Sequence, residues 1–128
     1  MRLLLDTHAF LWFILNDAKL SLPALDAIRE PQNQVLLSPA SYWELAIKVG
    51  LGKYQIPDSL ESFVESQLQK NQIDIVHIVP KHAGIVAELP NHHRDPFDRM
   101  LAAQAMAETL KVVSADAVFD AYGVVRLW

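Results

Sequence analysis

Four acidic residues stand within or at the ends of apolar stretches: Asp6 after "RLLL", Glu44 in "SYWELAIKVG", Asp98 in "HHRDPFDRM" and Asp116 in "VVSAD". Each has an ordinary structural reading. Asp6 and Asp116 suit turns or helix caps. Glu44 precedes Lys48 by four residues, the favourable order for a helical ion pair worth about 0.2–0.5 kcal/mol. Asp98 falls at the third position of a helix begun by Asp95 and Pro96, where an acid favours the helix dipole. A shared reading competes with these separate ones. If one sheet edge gathers the four, carboxylates about 6 Å apart repel by roughly 3 kcal/mol per pair at an effective dielectric near 20. Protons or a divalent cation must then compensate. An oxygen-only donor set, in a chain without cysteine, suits a hard ion such as Mg2+ or Mn2+.

Other polar residues sort less sharply. Thr7 follows Asp6, and Ser114 lies two residues before Asp116, on the same side if the chain stays extended there. Asp95 reads as an N-cap. His92 and His93 are adjacent and cannot easily face one ion, and no helical His-x-x-x-His occurs, so a zinc hydrolase is set aside. His77 is expected within a strand and His82 on a helix surface. Lys48, Lys53, Arg94 and Arg99 are candidate phosphate contacts that a solvated surface explains equally well.

Short apolar strands are expected at 2–6, 34–38, 73–79, 111–116 and 123–128. Helices are expected at 8–15, 22–30, 39–49, from Asp58/Ser59 onward, at 81–89 and at 96–110. Alternation of such strands with helices calls for a three-layer α/β/α sandwich with a mainly parallel central sheet. Ligands in such sheets bind beyond the C-terminal strand ends, where Asp6 and Asp116 fall.

The bulk numbers set limits. The 128 residues, 52% apolar and 20% charged, suit one domain over 1–128 with a real core. A net charge of −4 and a pI near 5.6 argue against a simple basic nucleic-acid binder. "AFLWFIL" is too short to span a membrane, so a cytoplasmic protein is expected. With four glycines and no Gly-rich fingerprint, dinucleotide and nucleoside-triphosphate binding are not supported. A phospho-acceptor receiver domain would need a lysine after a late strand, and Lys111 precedes one. A non-catalytic domain acting through protein contacts, with the apolar run at 8–15 as docking surface, stays open. The three tryptophans fit an interface or a core, with Trp128 the most exposed.

The pieces "LLLDTHAFLW", "SPASYWELAIKVGLGK", "HHRDPFDRMLAAQA" and "VVSADAVFDAYGV" occur in this order over nearly the whole chain. They resemble the PIN-domain ribonucleases, specifically the VapC-type toxins of toxin–antitoxin pairs. That resemblance implies an acidic quartet of Asp6, Glu44, Asp98 and Asp116, with Thr7 and Ser114 in support. It implies a PIN-like fold and a Mg2+- or Mn2+-dependent endoribonuclease that cleaves RNA by activated water, leaving 5'-phosphate and 3'-hydroxyl ends. It further implies a homodimer held in check by a small DNA-binding antitoxin. His8 departs from the pattern, in which many relatives carry Asn.

Overall fold

The computed structural model describes residues 1–128. Five strands, β1 (Arg2–Leu5), β2 (Gln34–Leu37), β3 (Ile73–Ile75), β4 (Lys111–Val113) and β5 (Arg126–Leu127), form one sheet in the order β3-β2-β1-β4-β5. Every pairing is parallel. The helices are α1 (Thr7–Ile14), α2 (Leu22–Arg29), α3 (Pro39–Gly50), α4 (Leu60–Lys70), α5 (Pro80–Glu88), α6 (Pro96–Glu108) and α7 (Val118–Ala121).

Apart from Arg2, Gln34, Asp74, Lys111 and Arg126, the strand residues are apolar, because both faces of the sheet are covered. Leu3, Leu5, Val35, Leu37 and Val113 enter one core with Phe10, Ala24, Ile28, Leu45 and Val64 of α1 to α4. Leu4, Leu36 and Val112 point the other way, into a core with Leu101, Ala102, Ala105 and Phe119 of α6 and α7. The alternation along each strand thus builds the three layers. The small alanines of α6 bring its axis close to the sheet, and Ala102, Ala103 and Ala105 are all buried.

Chain direction places the site. From β1 the chain steps outward through β2 to β3, then crosses back to lay β4 on the other side of β1. The crevice between two such excursions opens beside the C-terminal ends of β1 and β4. Leu5 pairs with Val113 there, so the residues that follow each emerge together.

Several expectations need correction. The strand expected over 73–79 ends at Ile75, because Pro80 begins α5 and the residues between run as a loop. His77 is therefore exposed in that loop rather than held in a strand. His82 is not on a surface: it is 1% exposed, and its Nε2 lies 2.9 Å from Glu108 Oε1. The strand expected at 111–116 stops at Val113, since Ser114 Oγ accepts the amide of Asp116 and turns the chain. The last strand is confined to two residues, and the short α7 was not anticipated. The helix expected to reach 110 stops at Glu108, where Thr109 adopts a left-handed backbone with φ 56°. Among the tryptophans Trp43 is the exposed one, at 62%, while Trp128 packs on Trp12 with ring centroids 5.9 Å apart.

Candidate active site

The first acid is placed by its own helix. Asp6 is the N-cap of α1, its Oδ1 accepting the Ala9 amide at 2.7 Å, and it is buried. Burial raises its pKa above the ordinary value. Hydrogen bonds from Ser114 and Ala9 and the nearby His8 oppose that rise, and the Glu44 charge adds to it. Capping and membership of an acidic group are therefore compatible roles for one carboxylate.

Glu44 is the buried acid of α3. The Thr7 hydroxyl donates to its Oε1, and Lys48 Nζ stands 3.0 Å from its Oε2. The i, i+4 pair is present, on the inner side of the helix rather than in bulk solvent. Burial alone works against the Lys48 charge, but the Glu44 hydrogen bond and charge outweigh it and raise the lysine's pKa. Ser41 lies one turn earlier on the same stripe, buried, with no protein partner for its hydroxyl.

Asp95 caps α6 through Oδ1, which accepts the amides of Phe97 at 2.8 Å and Asp98 at 3.2 Å. Asp98 is thereby fixed in the first turn, with its side chain 19% exposed. Its pKa is pushed up to about 7: burial acts most, then the charge of Asp95, with Asp6 adding a further push and His93 pulling the other way. A carboxyl so placed near a helix N-terminus would ordinarily be favoured as the anion. The reversal reflects crowding by like charge in a desolvated pocket.

Asp116 is 50% exposed and joins this group through a residue that motif reasoning had set aside. His93 Nε2 lies 2.9 Å from Asp98 Oδ2 and 4.0 Å from Asp116 Oδ2. Donor atoms of His93, Asp98 and Asp116 all fall within 4.8 Å of one another. The His-His pair next to Asp95 was the available signal. It was discounted because both rings cannot face one ion, and indeed only one does: His92 packs edge-on against Tyr122.

Arg99 has a structural task in place of free exposure. Its guanidinium donates to the carbonyls of Val86, Leu89 and Pro90 and to the Tyr122 hydroxyl. Tyr122 in turn accepts the His93 amide at 3.0 Å. Together they clamp the loop before α6. Arg94 and Lys53 are exposed, whereas Lys48 is committed to Glu44.

The donor set fits a divalent cation: crowded carboxylates, one with its proton held unusually tightly, beside an imidazole nitrogen. A separate groove lies away from these acids. It measures about 680 Å³ and is apolar, lying between α3 and α4 with Tyr42, Trp43, Val64, Leu68 and Ile78 on its walls.

Comparison with known proteins gives the site its setting. The PIN domain family model matches residues 3–125. This chain belongs to the PIN domain family. The PIN fold here is similar to VapBC2 from Rickettsia felis, solved bound to a DNA fragment from its promoter, with a TM-score of 0.74 at 18% identity, covering 98% of this chain and 97% of that one. It is similar also to VapBC-1 from nontypeable Haemophilus influenzae, with a TM-score of 0.68, 15% identity and coverage of 98% and 96%. FitAcB from Neisseria gonorrhoeae superposes with a TM-score of 0.65 at 20% identity, covering 97% and 95%. No curated protein matches significantly by sequence. No helix of this PIN domain is long and apolar enough to cross a membrane.

Proposed function

We propose that this PIN domain is a divalent-metal-dependent endoribonuclease, the toxin of a type II toxin–antitoxin pair. The observation that carries the reading is Asp98, whose carboxyl is pushed up to about 7 among Asp95, Asp6 and His93 at the C-terminal sheet edge. Ionised, a group of this kind costs folding free energy that a proton or a bound cation offsets.

Asp6, Asp98 and Asp116 would hold Mg2+ or Mn2+, with Glu44 completing the group. Such an ion lowers the pKa of a water, and steadies phosphate and leaving oxygen. The chain's own residues do the positioning. Thr7 and Lys48 anchor both oxygens of Glu44, so that its carboxylate is aimed rather than mobile. Ser114 steadies Asp6 and the turn that presents Asp116. Arg94 and Lys53 are the exposed cations available to RNA phosphates; Arg99 is occupied by its loop. With net charge −4, RNA binding must rest on such local contacts.

The toxin assignment draws on the four-piece resemblance and on VapBC2, a similar fold solved with its promoter DNA. A small DNA-binding antitoxin, a homodimer and a cytoplasmic location follow from it. A second reading, a non-catalytic domain working through protein contacts, is favoured by the apolar groove and by Trp43 exposed at its rim. One experiment separates them. Purified protein is incubated with total RNA and Mg2+ or Mn2+, beside an Asp98→Asn control and an EDTA control. Discrete cleavage that both controls abolish supports the nuclease. Absence of cleavage by protein that still associates with a partner supports the second reading.

A further inference from the structure

The acidic group by itself does not choose between Mg2+ and Mn2+; His93 does. We infer that His93 is a nitrogen ligand of the site's cation and biases the site toward Mn2+ over Mg2+. This rests on the metal-dependent reading above.

The geometry suits one shared ion. In octahedral coordination with bonds of about 2.1 Å, neighbouring donors are about 3.0 Å apart and opposite ones about 4.2 Å. His93 Nε2 is 2.9 Å from Asp98 Oδ2 and 4.0 Å from Asp116 Oδ2. Both spacings lie close to these values, and the donor atoms of His93, Asp98 and Asp116 all fall within 4.8 Å of one another, so small side-chain adjustments bring the three onto one ion.

The backbone that carries the ring is also held. The His93 amide donates to Tyr122, and its carbonyl accepts from Arg99 Nη1 at 3.4 Å. Arg99 fixes the same loop through Pro90 and Leu89. The imidazole is 30% exposed, so apolar packing does not explain its place.

The chemistry supplies the bias. Mg2+ dehydrates reluctantly and prefers oxygen, whereas imidazole nitrogen binds transition ions more readily. Replacing one oxygen position by nitrogen therefore costs Mg2+ more than Mn2+.

The test is pulsed electron paramagnetic resonance on the full chain loaded with Mn2+. The expected result is a nitrogen coupling that changes to the 15N pattern on histidine labelling and disappears in His93→Gln. His8, near Asp6, is the other candidate nitrogen source, and the variant distinguishes it. Calorimetric titration with each ion alone should show His93→Gln weakening Mn2+ by about 10-fold or more, and Mg2+ by less than about 2-fold. Mn2+ bound without a nitrogen coupling, or a coupling that survives His93→Gln, would overturn the inference and leave the metal reading standing. So would equal weakening of both ions. Asp98→Asn should lose both ions. If the wild type takes up neither ion, the metal reading has failed and this inference with it.

Discussion

Helix α6 carries a carboxylate–imidazole pair at each end, and the two behave oppositely. At its start, Asp98 meets His93 at 2.9 Å. Near its end, Glu108 meets His82 at the same distance. Yet Asp98 is pushed up to about 7, while Glu108 is held below its ordinary value, first by the His82 bond, with Lys81 and Arg2 adding to it. The pair alone does not decide the outcome; the neighbours do. Glu108 has Lys81, Arg2 and His82 beside it, and its side chain is 32% exposed. Its pair joins α5 to α6, and Val79 donates its amide to the other ring nitrogen of His82. Asp98 is enclosed with other acids, and one imidazole does not balance them. One end of the helix is electrostatically satisfied and the other is not, as a structural pair and a binding site should differ.

The largest expected effect breaks the unsatisfied end. Asp98→Asn should reduce RNA cleavage by at least about 100-fold. Without metal, the melting temperature at pH 8 should hold or rise, because a repelling charge is gone. Cleavage assays beside thermal melts check both parts. Loss of activity with a large drop in melting temperature would point instead to simple misfolding.

The ends should also differ in sign with pH. Asp98 has an ordinary value of 3.8 and a folded value of about 7. The folded state therefore binds its proton more tightly. That stabilising contribution is complete below about 3.8 and is lost as pH rises through about 7. In EDTA, melting should weaken over this window, and Mn2+ or Mg2+ should restore it most at pH 8. Glu108, lowered from 4.5, contributes above that value and loses its contribution as pH falls below it. The Asp98→Asn variant should flatten the upper window and leave the acid one.

Breaking the satisfied end should cost stability and spare the site. His82→Leu strips a buried partner from Glu108 and from the Val79 amide, at about 1–3 kcal/mol. Denaturant titration reads the loss, and the metal titration should be unchanged. Smallest of all is Asp95→Ala. The lost cap costs about 1 kcal/mol, partly offset because one acid no longer crowds Asp98. Its signature is a downward move of the Asp98 titration by carboxyl NMR, with only a modest stability change.

Much of this was legible along the chain. Apolar strand runs, Ser38-Pro39 and Asp95-Pro96 at helix starts, and the alternation of elements are local features, and they placed most helices within one or two residues. Asp6 and Asp98 declared themselves by position at element ends. What failed were features set by distant contacts. His82 looks like a surface residue of a short helix until Glu108, 26 residues on, meets it. Arg99 looks like a free cation until the loop from Val86 to Pro90 folds over it. The α7 turn and Tyr122 have little local signal, yet they hold His93.

By itself, the sequence determined the alternating architecture and the acids that stand at its strand and helix ends, because hydrophobic period and capping act over a few residues. Tertiary structure alone decided which charges face one another across the crevice. Electrostatic balance at α6 depends on groups brought from β1, α5 and the loops around them. Spacing along a chain carries no record of those distances, and they separate a carboxylate held charged from one pushed toward its neutral form.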